Sequence, residues 1–360
     1  MREKFEAVQV LRALAAGLVV FSHAIVNWAE KGAGNPGAIP NFPHMGDFGV
    51  KLFFCISGFI IVHTARQMPA GMESAGTFMR RRLIRIVPLY WLITTIYVLK
   101  TVLTGESYSG AELVRSYAFV PYLNPHHLVQ PILGQGWSLN YEMFFYVTFG
   151  ALFFLPRRWH ATAVAGVMTA LAAARAIGWL GDGSSPTALY HWADSVILYF
   201  VLGVCICLLA TEWRKKGLPS LSQTWAALLA AAIVVGFAFY ALPANEGLAM
   251  VWMPVASAAP LALCVFARPE PCSVALKPLV LAGDGSYSTY LAHGFFMGPL
   301  ARVLGAVHLP IDFIAFGLLS LVACMYAGYI VHRHLERRLV QADWSILRPT
   351  AIWMWLFPRA

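Results

Sequence analysis

The stretch "LRALAAGLVVFSHA", residues 11–24, decides what kind of chain this is. It is apolar except for Ser22 and two ionisable residues, Arg12 and His23. A run of Leu, Ala and Val without a polar stripe makes a helix with no wet face, and such a helix is stable only in hydrocarbon or wholly inside protein. A guanidinium and an imidazole are expensive there, so they face the bundle interior and usually mark function. They are eleven residues apart. At about 100° per residue this leaves an offset of only about 20°, so the two side chains share one helix face about 16 Å apart along the axis. Two plainer roles stay open. Arg12 is only a turn or so deep and can snorkel to the inner interface. His23 can be a hydrogen bond between packed helices.

The rest of the chain fits the same solvent. Of 360 residues, 59% are hydrophobic and 12% charged, with a mean hydropathy of +0.64. Soluble domains carry about 25% charged residues, which excludes an ordinary soluble fold. Runs near the about 20 residues that cross a bilayer occupy 8–27, 48–65, 86–104, 136–155, 160–180, 193–211, 224–242, 248–267, 286–306 and 310–331. The predicted fold class is all-α, a polytopic transmembrane helix bundle of about ten spans. The first run is too long for a signal-peptide core and lacks a small-residue cleavage site, so it reads as a span. The net charge of +9 reflects topology rather than nucleic acid. Arg80–Arg82, Arg157–Arg158, Arg214–Lys216 and Arg333–Arg338 fall in alternate connections, on the side of Arg2 and Lys4. The positive-inside rule then predicts both termini in the cytoplasm. There is no internal repeat. The stretch 105–135, with Pro121, Pro125 and Pro131, is expected to fold back on the bundle. The six cysteines, mostly in apolar runs, lack metal-ligand spacing and read as small core residues; no metal site is expected.

Four further segments carry unusual polar residues. "GQGWSLNYEMFFY", 134–146, places Glu142 near the outer end of the fourth span. Counted inward, Glu142 and His23 fall within about 5 Å of the same depth. A carboxylate beside an imidazole fixes its tautomer and raises its basicity; a structural ion pair with another Arg or Lys is the alternative for Glu142. "GDFGVKLFFCISGFIIVH", 46–63, puts Ser57 and Gly58 at mid-span, where glycine permits close approach of a helix or of a thin ligand arm. "RRRLIRIVPLYWL", 80–92, crowds Arg80, Arg81, Arg82 and Arg85 at the cytoplasmic mouth, with Tyr90 further along. Such a cluster anchors topology or meets anionic lipid, or its guanidinium forks hold a polyanion such as a phosphate group. "LAGDGSYSTYLAH", 281–293, opens a span with Ser286, Tyr287, Ser288 and Tyr290 and puts His293 two turns in from the cytoplasm. It lines a cavity or makes a buried polar network.

Taken in order, "LRALAAGLVVFSH", "GVKLFFCISGFII", "RRRLIRIVPLYW", "WSLNYEMFFY" and "GSYSTYLAH" resemble the acyltransferase family 3 of integral-membrane acyltransferases, over residues 11–293. One departure is "HRHLERRL", 332–339, where Arg337 follows Glu336 in place of a frequent proline. The resemblance implies an acyltransferase membrane domain over 1–335, a cytoplasmic tail over 336–360, and a place in a bacterial inner membrane. It implies transfer from cytoplasmic acyl-coenzyme A, acetyl more often than succinyl, to a hydroxyl of a surface or exported glycan such as exopolysaccharide, lipid-linked in some members. In that reading His23 is the general base or a transient acyl carrier, and Glu142 orients it. Arg12 holds the coenzyme arm or shapes the oxyanion environment. Arg80, Arg81, Arg82 and Arg85 hold the phosphates, with Ser57, Tyr90, Tyr287 and His293 along the coenzyme's path. A transporter or glycan flippase without acyl chemistry is the rival class, although transporters often carry internal repeats. A scaffold is the second rival.

Overall fold

The computed structural model describes residues 5–31, 43–181, 183, 187–241, 246–268, 270–306, 312–342 and 344. Among them the fold is helical; the only bridge of β type joins Leu123 and Val129. The principal helices are α1 Glu6–Lys31, α2 Pro43–Ala65, α3 Met72–Leu103, α4 Gly110–Tyr117, α5 Trp137–Ala151, α6 His160–Ala176, α7 Ala188–Trp192, α8 Leu198–Lys215, α9 Gln223–Gly236, α10 Glu246–Phe266, α11 Lys277–Asp284, α12 Ser286–Ala306, α13 Phe313–Val331 and α14 Arg337–Gln341. Among the described residues, each of the ten apolar runs overlaps a helix. Six helical stretches are long and apolar enough to cross a membrane unaided: Glu6–Trp28, His44–Ala65, Met72–Leu103, Ser195–Lys215, Gly247–Phe266 and Phe313–Gln341. This is a multi-pass membrane protein.

Helix α3 differs from its expected bounds. It begins at Met72, well before residue 86, so the arginine cluster lies within the helix and not in a loop ahead of it. Its 32 residues make about 48 Å at 1.5 Å per residue, against a hydrocarbon core of about 30 Å. A helix that long carries its polar end out of the lipid, which is why four arginines are tolerated on it.

The chain divides into two compact units. The first comprises Met1–Phe59 and Cys205–His334. Its axis is α1, most of whose surface is buried. Small residues let the neighbours come close. A Cβ on Gly283 of α11 would collide with the Gln9 carbonyl of α1, and one on Gly317 of α13 with the Phe21 ring. A Cβ on Gly49 of α2 would stand 2.6 Å from the Ala15 carbonyl oxygen. Between α12 and α13, Gly328 leaves room for Thr289. Val20, Ala24, Met297, Ala301, Phe316 and Cys324 close the core where α1, α12 and α13 meet. In hydrocarbon, where burial of apolar surface gives no drive between helices, such backbone proximity supplies the packing attraction.

The second unit comprises Ile60–Val204 and Leu335–Ala360. Here α3 packs on α5, and the short α14 packs on α3. The 105–135 stretch does fold back, as expected. Tyr90 donates a hydrogen bond to the Ser116 carbonyl, the Ser116 and Tyr122 hydroxyls bond each other, and the Ile132 amide donates to the Ser116 hydroxyl. A capping box between Ser109 and Glu112 starts α4 within this stretch. The chain leaves α13 through a π turn, His332–Glu336, and Arg337 after it begins α14.

Candidate active site

The first cluster lies in the first unit. An ion pair between Glu6 at the start of α1 and Lys277 at the start of α11, 2.9 Å apart, puts the two helix starts at one level. The Cys272 amide donates to the same carboxylate. That carboxylate adds to burial in pushing the Cys272 thiol pKa up, with Lys277 opposing it. From this common base His23 is 17 residues along and His293 is 16, about 25 Å in each case at 1.5 Å per residue. They meet. His23 Nδ1 and His293 Nε2 are 2.8 Å apart. The ring planes differ by 5° with centroids 5.0 Å apart, the geometry of an in-plane hydrogen bond and not of face-to-face stacking.

The sequence reading, with His293 two turns in from the cytoplasm, does not anticipate this contact with His23. The helix path begins at Lys277, and "GDG" at 283–285 is a near-continuous passage from α11 into α12 rather than a loop. His293 is 3% exposed, and its Nδ1 lies 2.7 Å from the Tyr290 carbonyl oxygen. The Cys324 thiol donates weakly to the His293 carbonyl at 3.7 Å. His23, in contrast, is exposed although most of its neighbours on α1 are buried. Arg12 is buried, and its Nη1 donates to Gln9 Oε1 at 3.0 Å. Ser286, Ser288 and Thr289 are buried, while Tyr287 and Ser57 are half-buried. The polar start of α12 is therefore largely buried, with the Ser286 hydroxyl lacking a partner among the described residues.

The second cluster lies in the second unit. Glu142 accepts a short hydrogen bond from the Tyr146 hydroxyl one turn along α5. The Arg82 guanidinium packs on the Tyr146 and Phe78 rings, 5.8 and 5.5 Å from their centroids. Its Nη2 donates to the Thr64 hydroxyl at 2.8 Å, and it feels the Glu142 charge. The Nε–H groups of Arg80 and Arg82 are buried without an acceptor among the described residues. Each costs about 1–3 kcal/mol while unmade. Arg81 is exposed and Arg85 half-buried on the same stretch of α3. Tyr90 is fully buried and anchors the 105–135 stretch through Ser116.

The structure thus joins His23 with His293, and Glu142 with Tyr146 and Arg82. Within the first unit, the partner of His23 is His293. Tyr146 and Thr64 escaped the sequence reading. Tyr146 was legible, because residues four apart on a helix are neighbours.

An arginine cluster on a helix of the second unit and an exposed, hydrogen-bonded imidazole on a helix of the first, in a chain made of membrane helices, fit an integral-membrane enzyme of the acyl-transfer type. The chain belongs to acyltransferase family 3: the family model described as "Acyltransferase domain" matches residues 5–333. It is 32% identical over 310 residues to the exopolysaccharide production protein ExoZ of Rhizobium meliloti (strain 1021), covering 82% of this chain and 90% of that protein. It is 27% identical over 323 residues to the acyltransferase MdmB of Streptomyces mycarofaciens, covering 81% of this chain and 78% of that protein. No solved structure matches.

Proposed function

We propose that this acyltransferase moves an acyl group, acetyl foremost, from cytoplasmic acyl-coenzyme A to a hydroxyl of an exported glycan such as exopolysaccharide, in a bacterial inner membrane with both termini cytoplasmic. The observation that carries this reading is His23: an imidazole deep along a membrane helix, exposed on one side and hydrogen-bonded by a buried partner on the other. The likeness to an exopolysaccharide production protein supports the acceptor class. The unfilled Nε–H donors of Arg80 and Arg82 support a polyanionic donor, since guanidinium forks match phosphate oxygens.

In this reaction His23 takes the proton of the acceptor hydroxyl as its oxygen attacks the thioester carbonyl. The carbon–sulfur bond breaks, and the proton passes from His23 to the departing thiolate. The products are a glycan ester and free coenzyme A, and the enzyme returns unchanged. General-base help of this kind contributes about 10²–10⁴-fold. Arg80, Arg81, Arg82 and Arg85 hold the coenzyme phosphates. Arg12, on the same face of α1 as His23, holds a polar part of the thin arm. Glu142 and Tyr146 keep Arg82 in place.

The test uses purified protein in nanodiscs with acetyl- or succinyl-coenzyme A, an acyl acceptor and a thiol-reactive dye. Thiol release that vanishes in His23→Ala supports the assignment. Undiminished glycan acylation by that variant refutes it.

A further inference from the structure

We infer that His293 is a positioning residue that, with the Tyr290 carbonyl, fixes His23 in the tautomer whose Nε2 is free to accept a proton. The inference rests on the reading of His23 as the base. It follows from counting hydrogens along one chain of contacts. The Tyr290 carbonyl can only accept, so His293 Nδ1, 2.7 Å away, carries a hydrogen and donates it. His293 is 3% exposed, and a buried imidazole without a counter-ion is neutral. A neutral ring has one N–H, so His293 Nε2 is a bare acceptor. The 2.8 Å contact then requires a hydrogen on His23 Nδ1. Neutral His23 is left with its lone pair on Nε2.

A free histidine side chain prefers the opposite form, with the hydrogen on Nε2. The His293 acceptor reverses that preference. The order matters for the chemistry in both directions. Before transfer, the lone pair is on the nitrogen not already engaged by His293. After His23 takes the substrate proton on Nε2, its Nδ1–H still donates to His293, and that bond strengthens with the charge. His293 thus fills the orienting place usually taken by a carboxylate. A neutral orienter leaves the resting pair uncharged, which suits a bundle interior where an ion is expensive.

The pair is in position because the bases of α1 and α11 are locked at Glu6–Lys277 and the helices touch at Gly283. Coplanarity within 5° adds a second constraint, since it holds the His23 ring from turning about its own axis.

Two variants separate this role from simple packing. His293→Phe keeps a ring and removes the acceptor. His293→Gln places a carbonyl oxygen near the position of Nε2 and retains an acceptor. The expected result for His293→Phe is a loss of about 10²-fold in kcat, inside the range of general-base catalysis, with the KM for acetyl-coenzyme A within about twofold of wild type. His293→Gln recovers most of that loss. Nitrogen-15 NMR of histidine-labelled protein in nanodiscs, with His23 assigned by its absence in His23→Ala, reads the tautomer directly. Wild type shows His23 protonated on Nδ1, and His293→Phe moves that hydrogen to Nε2. Equal losses in the two variants, or a wild-type His23 protonated on Nε2, overturns the inference. The NMR result needs no turnover. Wild type that transfers no acyl group under any donor therefore overturns the base reading of His23, and the tautomer assignment is still decided by the spectrum.

Discussion

Gly283 offers the most demanding test of how α1 is held. A Cβ there falls well inside contact distance of the Gln9 carbonyl oxygen, carbon and Cα. All three are backbone atoms, so no side chain can turn away. Ordinary contact lies at about 3.5–4.0 Å, which obliges α1 and α11 to separate by about 1–2 Å at this crossing. Overpacking of this kind costs about 1–3 kcal/mol and occasionally more. The strain does not stay local. Gln9 is 14 residues before His23 on one helix, and Gly283 is 10 before His293 on a nearly continuous path. Opening the crossing by that amount carries the 2.8 Å His23–His293 contact past the about 3.5 Å limit of a hydrogen bond. Gly283→Ala is therefore expected to lower the unfolding midpoint in detergent and to cut kcat for thiol release by up to about 10²-fold, the share assigned to a positioned base. Gly298→Ala on α12 is the matched control. Nothing lies within 4 Å of its Cβ, and replacing a helical glycine gains about 1 kcal/mol, so its midpoint should rise with activity kept. A Gly283→Ala protein as stable and active as wild type would refute the close crossing.

Three further outcomes are expected. Arg82→Ala should raise the acetyl-coenzyme A concentration at half-saturation by about tenfold or more, and Arg82→Lys should recover only part, because a lysine cannot fork; steady-state thiol release measures both. Tyr90→Phe should cost about 0.5–1.5 kcal/mol of stability through the lost bond to the Ser116 carbonyl and leave half-saturation unchanged; a shifted half-saturation would instead place the coenzyme at Tyr90. In α7, burial foremost and then the Arg175 charge depress the His191 pKa below 6.5, with Asp194 opposing. The folded state thus binds this proton less readily than the unfolded chain. Its stability contribution is complete above pH 6.5 and is lost as pH falls from there toward the folded value. Unfolding midpoints between pH 8 and 5 should fall less steeply in His191→Gln than in wild type.

Much of this was readable from the chain alone. The helical class, the shared face of Arg12 and His23, and the arginine cluster follow from composition and from a period of about 3.6 residues. Other features depend on contacts between distant segments, which periodicity does not carry. The partner of His23 was sought by depth. That estimate does not bring out His293, because "GDG" carries the signature of a turn. In the fold, Gly283 is a contact glycine, and the helical path starts before it, at Lys277. Likewise, the start of α3 was placed at the first unbroken apolar run, although a helix this long tolerates charge on the part that leaves the lipid.

That overhang of α3 has a physiological corollary. From Arg80 to Leu103 the helix already measures about 35 Å, more than the about 30 Å hydrocarbon thickness. A span that fills the hydrocarbon with its Leu103 end would then carry the arginines to the level of the lipid phosphates. Anionic lipids and coenzyme A carry the same functional group, and in the proposed reading both would seek the accessible guanidinium groups, such as that of exposed Arg81. If the arginines hold the coenzyme as proposed, the surrounding membrane would act as a competitive inhibitor whose strength is set by its phospholipid composition. A cell that changes its share of acidic lipid would retune the enzyme's appetite for acyl donor without altering the protein.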